Sequence, residues 1–313
     1  MKTAILFPGQ GAQSVGMGKD LYEHYTESKR IFDRAASILD WDVREVCFED
    51  SKGIINQTRY TQAALFTTNI AAYEALKANG ITAEAVLGFS LGEYSAITAS
   101  GALAFEETLR LVEKRASYME ECAKTHPGGM IAVLGLEIDK INEVCKKITK
   151  EVGPIEMAND NCTGQVTLSG TKEALEAATP FLKEAGAKRV LPLQVSGAFH
   201  SSLMLEAANK LEAELKSIHF NETDIPIISN VTAESMNKNG IITNIPLQVI
   251  KGVRFRESIL HLINEGFDTF IEVGPKRTLC NLVKKISNDV QVMNVEDKKT
   301  LENVIEIMGG KVC

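Results

Sequence analysis

The stretch AEAVLGFSLGEYSAITASGAL, residues 83–103, decides how this chain is read. Its first part, AEAVLGFS, is a short apolar run, the pattern of a strand buried on both faces. Its second part, LGEYSAITASGAL, spaces its apolar residues as a helix does. Ser90 stands at the junction, inside GFSLG at 88–92, which fits G-x-S-x-G. A strand delivers the serine into a sharp turn, and a helix starts behind it. The glycines leave room for the turn and for a substrate, while the helix amides point at an incoming oxyanion. A serine that only caps the helix would give the same five letters. The apolar approach and the amphipathic exit favour a nucleophile.

Strands and helices alternate on both sides of that junction. Residues 2–7 form an apolar run that ends in the Gly-rich turn PGQGAQ. Helical spacing follows from about Lys19 to Leu39, and a long helix, TQAALFTTNIAAYEALKANG, closes at Gly80. Another helix runs from about Phe105 to Cys122. Beyond Ser196, helical spacing returns through SSLMLEAANKLEAELKSI; DIPIISN and FDTFIEV read as strands, with a helix around Glu257–Asn264 between them. This alternation predicts a large α/β-hydrolase-like domain with a mostly parallel sheet covered by helices.

The pattern changes at Gly128. GGMIAVLGL reads as a strand, 137–150 as a helix, PIEMAN and QVTLSG as strands, 171–186 as a helix and AKRVLPLQV as a last strand. The order β-α-β-β-α-β predicts a small inserted ferredoxin-like subdomain of about 70 residues. The expected division is therefore 1–127 with 197–313 for the large domain, and 128–196 for the insert.

Composition narrows the possible functions. The net charge of −7 argues against a general nucleic-acid binder. The six cysteines (Cys47, Cys122, Cys145, Cys162, Cys280, Cys313) show no CxxC pair and no histidine at ligand spacing, so neither zinc nor a disulfide framework is expected. Free thiols suit a reducing cytoplasm. No apolar run reaches the length of a membrane span. A soluble, cytoplasmic, monomeric protein is expected.

A serine nucleophile needs a base, and the chain has five histidines. His24 and His261 lie in charged helical stretches, His219 follows a helix end, and His126 sits beside Pro127. His200 differs. SGAFHSSLM places it after a strand, among small residues that leave the ring accessible. On the helix from Phe105, Leu109, Val112, Ala116 and Met119 form the apolar stripe, and Arg115 projects from its middle. A guanidinium facing the core needs a partner: a structural acid or an anionic substrate.

FPGQGAQ at 7–13, GFSLGEYSA at 88–96, GAFHSSLM at 197–204 and FIEVGP at 270–275 occur in the order and spacing of the malonyl-CoA:acyl carrier protein transacylases. The chain resembles that family over nearly its full length, as well as the acyltransferase domains of polyketide synthases. The resemblance implies ping-pong transfer of malonyl from malonyl-CoA to the phosphopantetheine thiol of acyl carrier protein. The resemblance further implies a role in fatty-acid or polyketide synthesis and no cofactor, since the coenzyme A thioester is a substrate. It implies a Ser90–His200 dyad, an oxyanion hole from the amides of Gln10 and Leu91, and a backbone carbonyl at Arg254 that orients His200. It also implies that Arg115, which ends RLVEKR, binds the malonyl carboxylate, with Met119 beside it.

Further positions follow from the same likeness. Phe199 would disfavour a branched α-carbon such as that of methylmalonyl. Asn159 and Asn161, in ANDN at 158–161, alternate along a strand end and so share a face toward the site. Gln62 and Gln248 match glutamines near the pocket. The chain departs from common family residues at Phe89, Phe255 and Ala63, none of which removes a catalytic group.

Two rival readings remain. An α/β-hydrolase thioesterase would need an acid between Ser90 and His200, and Asp139, Asp160 and Glu184 are available. A carrier-protein docking module without catalysis would need neither the serine turn nor an accessible histidine. For a carrier protein, Lys276, Arg277, Lys284 and Lys285 form one candidate docking cluster, and Lys183, Lys188 and Arg189 another.

Overall fold

The run Thr3–Phe7 is buried at every residue, as a strand must be when sheet neighbours and helices cover it on all sides. In the computed structural model, which describes residues 1–223 and 225–310, it is strand β1. The others follow as β2 (Ala85–Gly88), β3 (Gly129–Leu134), β4 (Ile155–Cys162), β5 (Gln165–Gly170), β6 (Arg189–Pro192), β7 (Ile227–Ile228), β8 (Ser235–Met236), β9 (Thr269–Val273) and β10 (Gln291–Val295). Cys313 and the last residues of the expected large domain lie outside the described part.

Two sheets form. The larger has the order β10-β9-β1-β2-β7-β8. Its pairs are parallel except β7 with β8. The smaller has the order β4-β5-β3-β6 with antiparallel pairs, which is the ferredoxin-like arrangement read from the β-α-β-β-α-β pattern. Its own core, built around Ile131, Val133, Ile141, Ile148, Val166 and Leu168, is separate from the large-domain clusters.

The helical expectations hold, with local differences. The region from Lys19 is two helices, Lys19–His24 and Thr26–Ile38, because Tyr25 takes an extended backbone. The long helix spans Thr58–Ala78 and the arginine-bearing one Phe105–Thr125. DIPIISN supplies only the two-residue strand β7. Four helices, Val43–Phe48, Lys238–Gln248, Thr278–Ile286 and Lys298–Met308, together with β10, had no reading in the sequence.

The insert is joined to the large domain by more than its two chain crossings. Val253 donates to the Ala158 carbonyl at 2.8 Å, and Asp160 donates to the Val253 carbonyl at 2.9 Å, extending β4 by a parallel bridge. Arg256 Nε lies 2.9 Å from the Asp160 carboxylate beside that bridge. The small sheet is thus held by its β4 edge directly next to the end of β2, where Ser90 emerges. No described helix is long and apolar enough to cross a membrane.

Candidate active site

Ser90 follows β2 with φ of 53°, a left-handed conformation that costs a side-chain-bearing residue energy. The turn is tight enough that only glycine fits beside it. A Cβ on Gly88 would sit 1.8 Å from the Gly92 carbonyl carbon, and one on Gly92 would sit 2.0 Å from the Phe7 oxygen. The strain is held by Asn230, just past β7. The Ser90 amide donates to Asn230 Oδ1 at 2.7 Å, and Asn230 Nδ2 donates to the Gly88 carbonyl at 2.6 Å. Asn230 therefore clamps both sides of the serine turn, a role the sequence reading missed.

His200 also has a positive φ, 59°, and is buried. Its Nε2 lies 2.8 Å from Ser90 Oγ, and its Nδ1 lies 2.7 Å from the Gln248 carbonyl. A carbonyl can only accept, so Nδ1 carries the proton and Nε2 is left to accept from the serine hydroxyl. The orienting carbonyl is therefore that of Gln248, which corrects the expectation of Arg254. The reason lies in helix ends. The Arg254 carbonyl accepts from the Ser258 amide at 3.0 Å in the first turn of Phe255–Asn264. Gln248 ends its helix, where carbonyls have no partner further along and are free for a side chain. Burial, with Arg115 nearby, pushes the imidazole down from 6.5 to about 4, so the ring is neutral at pH 7.

Arg115 is 1% exposed, yet no carboxylate lies within ion-pair distance among the described residues. Its Nη1 donates to Gln62 Oε1 at 2.7 Å, and its Nη2 donates to Gln248 Oε1 at 2.9 Å and Ser90 Oγ at 3.1 Å. The guanidinium carbon lies 5.3 Å from the centre of the Tyr94 ring, and Nε has no partner. A structural acid is excluded as its direct partner. A buried cation solvated by two glutamines and one hydroxyl is suited to receive an anion.

A cleft of about 100 Å³ opens over these groups. Gln10, Gln62, Met119, Asn159 and Phe199 line it with Ser90, Arg115 and His200, as the sequence reading expected. Met130, Leu193 and Val195 of the insert complete an apolar wall that it did not name. Phe89 also faces the cleft and packs edge-on against Phe255 at 5.5 Å, so two of the three family departures touch each other.

Gln248 and Leu91 lie behind the surface of the cleft, both fully buried. The Leu91 amide, at the start of helix Gly92–Ala99, and the Gln10 amide have no intramolecular acceptor among the described residues. The Gly9 Cα approaches the Phe89 carbonyl so closely that a Cβ there would lie 2.2 Å from its oxygen. That contact sets the PGQG turn directly beside the serine turn.

Asn161 does not join Asn159. β4 shifts register between Met157 and Asn159 and again between Asp160 and Cys162, which breaks the strict alternation that a shared face requires. Asn161 is instead buried with its Nδ2 3.4 Å from Thr167 Oγ1. None of the three acids considered for a triad reaches His200. Asp160 pairs with Arg256, while Asp139 and Glu184 are exposed.

One group of metal-type side chains comes together away from the cleft. Cys122 Sγ lies 3.9 Å from His126 Nδ1, while His126 Nε2 lies 3.9 Å from Glu206 Oε1. One ligand atom from each of the three lies within 4.8 Å of the other two, so the fold brings a histidine beside a cysteine where the sequence reading saw none at ligand spacing.

The family described as "Acyl transferase domain" matches residues 5–303. The malonyl CoA-acyl carrier protein transacylase of Bacillus subtilis (strain 168) is 43% identical over 98% of this chain and 97% of its own. Among solved structures, the malonyl CoA-acyl carrier protein transacylase of Clostridium perfringens superposes with a TM-score of 0.95 at 42% identity, covering 99% of this chain and 98% of that one. A malonyl-transacylase solved with a type II polyketide synthase acyl carrier protein gives 0.95 at 33% identity, covering 98% and 100%.

Proposed function

The chain belongs to the acyl transferase domain family, and we infer from that membership and from its site that it carries malonyl from coenzyme A to acyl carrier protein. The observation that carries this reading is Arg115: a buried guanidinium with no carboxylate in direct contact, 3.1 Å from the serine oxygen. At that distance it can hold a carboxylate one methylene away from a carbonyl attached to Ser90. Acetyl offers nothing to fill that role.

His200 takes the proton of Ser90 as the hydroxyl attacks the malonyl thioester. The tetrahedral oxyanion rests on the free amides of Gln10 and Leu91. Collapse expels the coenzyme A sulfur, which takes the proton from His200 and leaves malonyl on Ser90. The carrier thiol then enters, gives its proton to His200 and attacks the ester carbonyl, and collapse returns the proton to Ser90. A thioester is already an activated donor, so the steps need no cofactor. The His200 ring stays aligned through both halves because its Nδ1–H remains on the Gln248 carbonyl. Phe199, against the cleft, favours malonyl over methylmalonyl; one methyl is worth about 1–3 kcal/mol of discrimination.

Lys276 lies with its Nζ 3.1 Å from the Gly11 carbonyl, beside the turn that carries Gln10, which supports it as a docking contact for an acidic carrier. Lys284 and Lys285 are held instead by Val290 and Gln165. The five described cysteines are free and buried, which supports a reducing, cytoplasmic setting.

The test of function is the fate of malonyl after acylation. With holo acyl carrier protein present, the expected product is malonyl-carrier protein, with hydrolysis to malonate a minor path. Malonate as the main product would make the protein a thioesterase.

A further inference from the structure

Among the described residues Glu93 is the one fully buried acid wired into the site, and neither the sequence reading nor the steps above assign it a task. It sits on the helix behind the serine, 0% exposed. Its Oε1 accepts from the Asn230 amide at 2.8 Å, and its Oε2 accepts from Gln248 Nε2. Gln248 Nε2 also donates to the Ser90 carbonyl at 2.8 Å, its Oε1 accepts from Arg115, and its backbone carbonyl holds His200. One carboxylate thus holds the two residues, Asn230 and Gln248, that position the nucleophile, the base and the guanidinium.

Glu93 also supplies the negative charge that faces Arg115. The two are not in direct contact; the Gln248 amide stands between them, accepting from the cation and donating to the anion. In the empty site the buried charges sum to zero. Malonyl brings one more negative charge to Arg115. Two buried anions then share one cation, and an uncompensated charge in so dry a place is neutralised more readily than it is tolerated.

We propose that Glu93 is a positioning residue that balances Arg115 in the empty site and takes up a proton from solvent when malonyl occupies it. This rests on the functional reading above. Among the described residues the facing groups are few: Arg115 from the helix Phe105–Thr125, the neutral His200 beyond Gln248, and Tyr94 next to Glu93 on the helix Gly92–Ala99. Burial already lifts the Glu93 carboxyl from 4.5 to about 7, so it is ionised at pH 8 in the empty site and needs little further push to accept a proton. The acylation step itself is proton-neutral: the Ser90–O bond to malonyl forms, the C–S bond breaks, and the serine proton leaves on the coenzyme A thiol. Net uptake therefore reports Glu93. It appears above the empty-site value and vanishes below it, where the carboxyl is already protonated.

The experiment mixes the whole enzyme with a stoichiometric amount of malonyl-CoA in weakly buffered solution with a pH indicator, using acetyl-CoA as the control for released thiol. Acylation is read by intact mass on the same samples. The expected result at pH 8 is uptake of about half a proton or more per malonyl adduct, none per acetyl adduct, and little at pH 5.5. In Glu93→Gln, a malonyl adduct forms without uptake. Should that variant fail to fold, infrared difference spectra of the wild type decide: with ¹³C-labelled malonyl-CoA, an unlabelled protonated-carboxyl band grows in with malonyl and not with acetyl. A malonyl adduct without uptake, or undiminished uptake in Glu93→Gln, overturns the proposal. Absence of any malonyl adduct would instead sink the functional reading.

Discussion

Replacing His200 with alanine lowers kcat/KM for acylation by malonyl-CoA roughly 10²- to 10⁴-fold, the range of a lost general base. The wild type keeps its rate well below the ordinary histidine pKa. The sign follows from the role. Neutral imidazole is the active form, so activity is present above the folded-state value and lost as pH falls through it. Burial and the Arg115 charge put that value at about 4 instead of 6.5. Stopped-flow acylation between pH 4 and 8 should therefore show an acid limb near 4, and the limb should be absent from the residual rate of His200→Ala. A wild-type limb at 6.5 would mean that the ring is solvated or paired with an acid, contrary to its hydrogen bond with the Gln248 carbonyl.

Arg115→Ala has the second large effect, and its value lies in its selectivity. The expected loss for malonyl transfer is about 10²- to 10³-fold, the scale set by removing one partner of a desolvated charged pair, while transfer of acetyl persists. Acetyl has no carboxylate to lose, and the dyad of Ser90 and His200 does not need the guanidinium to form. Lysine at this position keeps the charge and loses the planar fork, so Arg115→Lys should recover only part of the malonyl rate. Equal loss of malonyl and acetyl transfer in the alanine variant would reduce Arg115 to a scaffold for Ser90 and Gln248. Because Arg115 lies in the core, acetyl transfer also serves as the check that each variant is folded.

Ser90, His200 and Arg115 could be read from the sequence because each breaks a local rule in a local way. The serine interrupts a strand and a helix between two obligatory glycines. The histidine stands among small residues where a buried loop would carry apolar ones. The arginine lies on the apolar stripe of its own helix. The mostly parallel large sheet and the inserted subdomain were legible for a similar reason, since alternation of strands and helices is a short-range pattern.

What was missed depends on long-range or main-chain geometry. Asn230 and Glu93 act through backbone groups up to 142 residues away, and neither breaks a local pattern. The choice between the carbonyls of Gln248 and Arg254 turns on which one a helix has already used, and that needs the helix Lys238–Gln248, which has no amphipathic spacing to reveal it. Its hydrophobic residues do not concentrate on one face, and it contains Pro246. Asn161 was misplaced because two register shifts in β4 cannot be seen in its residues. β10 and the helices Thr278–Ile286 and Lys298–Met308 went unread although their patterns are ordinary.

The most direct test of the central claim is the intact mass of the protein after brief exposure to malonyl-CoA, with Ser90→Ala beside it. The expected result is a single malonyl adduct on the wild type, none on the variant, and loss of the adduct when holo acyl carrier protein is added but not when buffer is. An adduct that survives Ser90→Ala, or one that buffer discharges as fast as the carrier protein does, would contradict it.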